Sequence, residues 1–139
     1  MVEFKLVISD PKKGKSAQRE AKDDAAKRFL GAKIGETIKG EVIDLPGYEF
    51  VITGGSDDCG FPMRKDIEGA ARAKILSTKG VGLNITVEGM RKRKTVAGNT
   101  ISSKTSQVNL KVTKEGKAVL FEEKKAEEAP KEAPAEEKK

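Results

Sequence analysis

One stretch constrains this chain more than any other: Ile52-Thr53-Gly54-Gly55-Ser56-Asp57-Asp58-Cys59-Gly60-Phe61-Pro62-Met63. A β-type run over residues 48–53 leads into it, and Arg64 and Lys65 leave it. A Gly-Gly pair after a strand predicts a backbone that turns sharply or visits positive φ. Pro62 cannot donate to a ladder, and it biases Phe61 toward an extended conformation. Gly54, Gly55, Asp57, Gly60 and Pro62 therefore predict a fixed, shaped loop, with Asp57 capping N–H groups of the turn. In front of it, residues 36–45 carry Ile38, Val42 and Ile43 and read as a strand. Asp44-Leu45-Pro46-Gly47 reads as a turn, and residues 48–53 complete the hairpin.

The rest of the chain reads as short strands at regular spacing. Residues 3–8 alternate and then close with apolar side chains, which predicts a first strand. Ser9-Asp10-Pro11 and a basic loop follow, and residues 16–21 pair back. Residues 23–30 predict a short helix, with Asp23 and Asp24 early, Lys27 and Arg28 late, and Gly31 as a stop. Its face of Ala25, Phe29 and Leu30 must pack on the sheet, because so short a helix is unstable alone. Further strands are predicted over residues 70–76, 80–87, 94–102 and 106–113. In the last, Val108, Leu110 and Val112 share one face, and Gln107, Asn109 and Lys111 the other. Lys114-Glu115-Gly116 predicts a turn into a strand over residues 118–121. The fold class is mainly β: a small antiparallel β-barrel over residues 1–121 with one short helical insert. Residues 122–139 contain only Glu, Lys, Ala and Pro. They cannot bury enough apolar surface to offset their ordering entropy, which predicts a disordered tail.

Charge narrows the function. The 139-residue chain carries a net +6 and has no histidine. The tail has seven Glu against five Lys, so it contributes −2 and residues 1–121 hold +8. Residues 64–94 hold nine basic residues against Asp66, Glu68 and Glu88, which is +6. Such concentration is the footprint of a protein that meets a polyanion, nucleic acid above all. Lack of His removes the commonest general base and the commonest metal ligand together. A single cysteine cannot form an internal disulfide, which suits the cytoplasm. No apolar run approaches the ~18 residues of a membrane span, and residues 1–5 lack the apolar segment of a secretory signal.

The densest chemical feature is Arg91-Lys92-Arg93-Lys94, predicted to lie in a basic turn over residues 89–94. Adjacent cations repel one another unless phosphates neutralise them. Arg64, Lys65, Arg72, Lys74 and Lys79 extend the patch if their strands lie alongside. Lys104 sits in a hydroxyl cluster of Ser102, Ser103, Thr105 and Ser106, which suits either sugar and phosphate contact or strand-end turn chemistry. One Tyr and five Phe are too few for a stacking platform, which favours folded RNA recognised by shape and backbone. Asp57 and Asp58 offer too few oxygens for a catalytic metal. The stretch reads first as a structural turn, with an anion nest of the Gly54 and Gly55 amides as the alternative. Cys59 has no His to activate it and is expected to be buried as a small apolar residue. Neither a cofactor nor a small-molecule substrate is implied.

Residues 52–63 resemble the hallmark of the eukaryotic-type small-subunit ribosomal protein six family, shared by archaea and eukaryotes. That hallmark is Gly-Gly, an Asp two residues on, then Gly-Phe-Pro-Met. Gly54, Gly55, Asp57, Gly60, Phe61, Pro62 and Met63 fill it without a gap. A second block over residues 93–101 is similar to the family's Lys-Thr-Val-x-Gly segment, through Lys94, Thr95, Val96 and Gly98. Residues 108–112 resemble its closing strand. Ala97 stands where the family usually has a basic residue. The Ser-free tail does not match the long, phosphorylated basic helix of eukaryotic members, so an archaeal-type member fits better. The resemblance implies a compact β-barrel and a structural small-subunit protein of the cytoplasmic ribosome. It would bind ribosomal RNA beside neighbouring ribosomal proteins, without catalysis. Two other readings stand beside it: a ribosome-associated RNA chaperone or translation factor, and a metal-dependent RNA-processing enzyme using Asp57 and Asp58.

Overall fold

The structure, a computed structural model, describes residues 3–116 and Leu120. Alternation builds the sheet. Strand β1 (Glu3–Asp10) buries Phe4, Leu6 and Ile8 and turns Lys5 and Ser9 outward. At its end the Asp10 carboxylate accepts from the backbone N–H of Lys12 (2.9 Å), which shapes the turn into β2 (Lys15–Lys22). The two strands pair antiparallel, as expected, with Phe4 opposite Ala21 and Leu6 opposite Arg19. Helix α1 (Asp23–Phe29) follows and packs against β1 and β2. Its buried residues are Ala26 and Phe29, whereas Leu30, expected on that face, is 38% exposed. Leu30 has already left the helix with extended dihedrals, so helical spacing no longer places it.

The strand expected over residues 36–45 is cut short. Only β3 (Thr37–Lys39) forms, and a 3-10 turn (Gly40–Ile43) replaces the rest. Ile38, Val42 and Ile43 do not keep a period of two, and Asp44 takes a left-handed conformation (φ 57°), so the ladder cannot continue. Strand β4 (Glu49–Asp57) then returns and buries Phe50 and Ile52. The Tyr48 and Phe50 rings stack with centroids 5.7 Å apart.

Strands β5 (Arg72–Ser77) and β6 (Lys92–Ala97) form a separate antiparallel ribbon. The final strand, β7 (Thr105–Lys114), returns to the main sheet and buries Val108, Leu110 and Val112, as its alternation predicts. The sheet order is β2-β1-β7-β4-β3. The mainly-β class stands, but the strands do not close into a barrel, and β1 pairs with β7 in parallel, Leu6 beside Val108. Helix α1 and the 3-10 turn touch each other, and with β1, β4 and β7 they enclose one core. A short β3 on one edge and a helix after β2 on the other leave no strand pair to complete a closure.

Residues 80–87 form a turn, bends and irregular backbone, not the expected strand. Alternation there provides a face but no neighbouring ladder, and Val81 and Val87 stay 58% and 61% exposed. The strand expected at 94–102 starts earlier and stops at Ala97. Past Ala97 the backbone leaves the β5 ladder, with Asn99 N–H bonded to Ile67 O, and Gly98 passes so close to the Gly69 carbonyl that a Cβ there would lie 1.9 Å from that oxygen. The strand expected over residues 118–121 and the tail from Glu122 lie outside the described residues, apart from Leu120, which is buried without strand structure.

Candidate nucleic-acid interface

The interface is built from its root outward. β4 carries Gly54, Gly55, Ser56 and Asp57 within its ladder to β7, so the Gly-Gly pair is strand and not turn. Neither glycine takes positive φ, which rules out the anion nest suggested by their spacing. Gly55 is required for another reason. A Cβ there would sit 2.3 Å from the Gln107 carbonyl oxygen and 3.0 Å from the Met63 sulfur. The turn comes later, at Asp58 and Cys59, and Gly60 supplies its left-handed residue (φ 80°). Backbone bonds then lay residues 61–63 back along β4: Asp57 N–H donates to Phe61 O, and Met63 N–H to Gly55 O, each at 2.9 Å.

This returning segment carries the ribbon. Ala97 N–H donates to Pro62 O (2.9 Å), and Arg64 N–H donates to Ala97 O (3.1 Å). Asn99 N–H donates to Ile67 O (2.8 Å), and Gly98 N–H to Ala71 O (3.2 Å). Ala97, where the family resemblance expects a basic residue, is thus held in the backbone of the root and buried. An isolated two-stranded ribbon is marginal in water, so these bonds are what position it.

Arg72 adds a charged lock. Its Nε donates to Asp57 Oδ2, its Nη2 to Asp58 Oδ1 (2.5 Å), and its guanidinium carbon lies 5.4 Å from the centre of the Phe61 ring. Asp57 is 6% exposed and also accepts from the Asp58 N–H (2.6 Å). The Arg72 guanidinium, helped by that N–H, holds the Asp57 carboxyl down at about 2 against the opposing effect of burial. Asp57 in turn raises the pKa of Arg72. The acid pair is therefore filled by a guanidinium and caps the turn. Among the described residues no group of three or more Cys, Asp and Glu side chains is placed to hold a metal. Cys59, expected to be buried, is exposed on this turn with its Sγ 3.3 Å from Arg72 Nη2. Burial was the wrong expectation because the strand ends two residues earlier.

The other predicted contact residues divide into two sets. Arg64 is committed to Asp66 (2.6 Å) with only 13% of its side chain exposed, and its Nη1 donates to Val81 O (3.4 Å). Lys65 is exposed on the root segment, and Lys104 is exposed on the turn before β7, where its carbonyl accepts from Asp58 N–H. The hydroxyls around Lys104 close that turn: Ser102 N–H donates to Thr105 Oγ1 (3.1 Å), and Lys104 N–H to Ser102 Oγ (3.4 Å). The ribbon gathers the rest. Lys74 lies in β5, and Lys92, Arg93 and Lys94 lie in β6, so most of the run expected in a turn is strand. Arg91 immediately precedes β6, and Lys79 lies in the connection between the two strands. All six are exposed, and among the described residues none forms an ion pair.

A family model described as Ribosomal protein S6e matches residues 4–124. The chain belongs to the ribosomal protein S6e family. Curated relatives agree. The "Small ribosomal subunit protein eS6" of Methanococcus maripaludis strain C7 is 48% identical over 117 residues, spanning 84% of this chain and 92% of its own. The protein of the same name from Archaeoglobus fulgidus is 47% identical over 87% of this chain and 95% of its own. That of Natronomonas pharaonis is 47% identical over 84% and 89%. The S6e family is structural and not enzymatic, so the RNA-processing reading of Asp57 and Asp58 falls. Sequence reasoning missed the role of Arg72 as an anchor. The signal was weak: an acid pair and its arginine stand 14 and 15 residues apart, and nothing local links them.

Proposed function

We propose that this S6e-family chain is a structural component of the small ribosomal subunit that binds folded ribosomal RNA through the cations of its β5–β6 ribbon. Its place is the cytoplasmic ribosome, beside neighbouring ribosomal proteins. One observation carries the reading. The two ribbon strands contain Lys74, Lys92, Arg93 and Lys94, all exposed, and no acidic residue. Each such cation can neutralise a phosphate and release a counterion. Lys65, Lys79, Arg91 and Lys104 extend the contact, while Arg64 and Arg72 hold the root. Residues 1–121 serve as the RNA-binding unit, and residues 122–139 form a tail.

Filter binding to small-subunit ribosomal RNA across a salt series tests this. The four strand cations alone give a slope of log K against log salt near −3, or about a hundredfold loss of affinity between 50 and 200 mM, and the four flanking cations steepen it. Binding that does not change with salt would overturn the mechanism.

A further inference from the structure

The register of the ribbon assigns its cations to two opposite faces. Residues directly opposite in an antiparallel pair share a face, and successive residues alternate. Lys74 stands opposite Thr95 and Leu76 opposite Arg93, so Lys74 and Arg93 share one face. Ile75 stands opposite Lys94 and Ser77 opposite Lys92, so Lys92 and Lys94 share the other. Near the root, the second face is covered: Gly82 approaches so that a Cβ there would lie 3.5 Å from Val96 Cγ1. Lys92 and Lys94 lie further out and are exposed, as are Lys74 and Arg93.

We propose that the ribbon inserts between two separate phosphate backbones of a folded RNA, as where two helices converge, with one backbone on each face. The inference rests on the RNA-binding reading above and adds the form of the partner. Flat docking on one backbone would neutralise two of these cations and leave two facing solvent without a counter-charge. A lone A-form duplex does not solve this. Its major groove is deep and narrow, and its minor groove is wide and shallow, so neither encloses a ribbon from both sides. Two converging helices do. The root suits insertion, because its backbone bonds and the Arg72 lock set the ribbon's direction before RNA arrives.

The test is hydroxyl-radical footprinting and filter binding on the full-length small-subunit ribosomal RNA of Methanococcus maripaludis. Three full-length variants are compared with the unaltered chain: Lys74→Ala with Arg93→Ala, Lys92→Ala with Lys94→Ala, and the charge-preserving Lys92→Arg with Lys94→Arg. Far-UV circular dichroism checks that each is folded, with Gln in place of Ala as the substitute for any that is not. The expected result is that each alanine pair loses a different set of protected riboses. Each should also make the salt slope shallower by about 1.5, and the arginine pair should keep both sets. If the two alanine pairs lose the same protections, or one of them keeps the full slope, the two-sided insertion is wrong and RNA binding stands. If the unaltered chain gives neither protection nor salt dependence, the RNA-binding reading fails as well.

Discussion

In residues 3–58, which supply β1 to β4, ten basic residues meet eleven acidic ones, a net of −1. In residues 64–94, which supply β5, the whole basic run and their connection, nine basic residues meet three acidic ones, a net of +6. In and around the sheet many charges pair: Lys114 of β7 with Glu49 of β4 (2.7 Å), Lys27 with Asp24 within α1 (2.8 Å), and Lys12 with Glu115 beside the strands (3.2 Å). The ribbon strands have no acid with which to do so. The difference extends to packing. The sheet's stability comes from one buried face, with Phe4, Leu6, Phe50 and Leu110 all at 1% exposure or less. Of the ribbon's twelve residues only Val96 and Ala97 are buried, both at the root. One region is held by its core. The other is held at one end and left charged for something outside the chain.

Four substitutions test that division. Phe50→Ala strikes the core and should cost about 3–5 kcal/mol, read as a lower urea midpoint for the whole domain. Gly98→Ala strikes the root. The forced shift of the Gly69 carbonyl should cost about 1–3 kcal/mol, and amide exchange should rise in β5 and β6 more than in β1 or β7. Equal acceleration in all four strands would show that the ribbon is not a separable unit.

Asp57→Asn weakens the lock. The folded pKa of Asp57 lies below its ordinary value, so its contribution is present above pH ~4 and lost as pH falls through about 2. The variant should be less stable by about 1 kcal/mol at neutral pH, after discounting for the partly exposed guanidinium. That gap should close between pH 4 and pH 2. A gap that stayed constant with pH would assign the loss to packing.

Arg93→Gln should leave stability within about 0.5 kcal/mol, as expected of an exposed position, while making the salt slope of RNA binding shallower by roughly 0.7. A large fall in its unfolding midpoint would mean that the ribbon cations serve the fold itself.

Legibility followed the range of the interactions involved. β1 and β7 were readable because Phe4, Leu6, Ile8 and Val108, Leu110, Val112 alternate without a break. The motif over residues 52–63 was readable as a unit, yet its conformation was misread. Gly54 and Gly55 were expected to turn, but both lie in β4, and the real constraint on Gly55 is Gln107, more than fifty residues away. The alternation of residues 80–87 pointed to a strand, and no local pattern reveals that a strand lacks a neighbour. The basic run was correctly found and wrongly placed in a turn, because β6 is specified by its pairing with β5.

The sequence by itself determined the mainly-β class, the position of the charge and the family, since alternation, composition and an ungapped motif are local properties of the chain. The tertiary structure alone decided that the sheet stays open with β1 parallel to β7. It also decided that Arg72 belongs to Asp57 and Asp58, and that four cations divide between two faces. Each of these depends on which distant segments come together: burial of one shared core sets the sheet, and backbone bonds at the root set the ribbon.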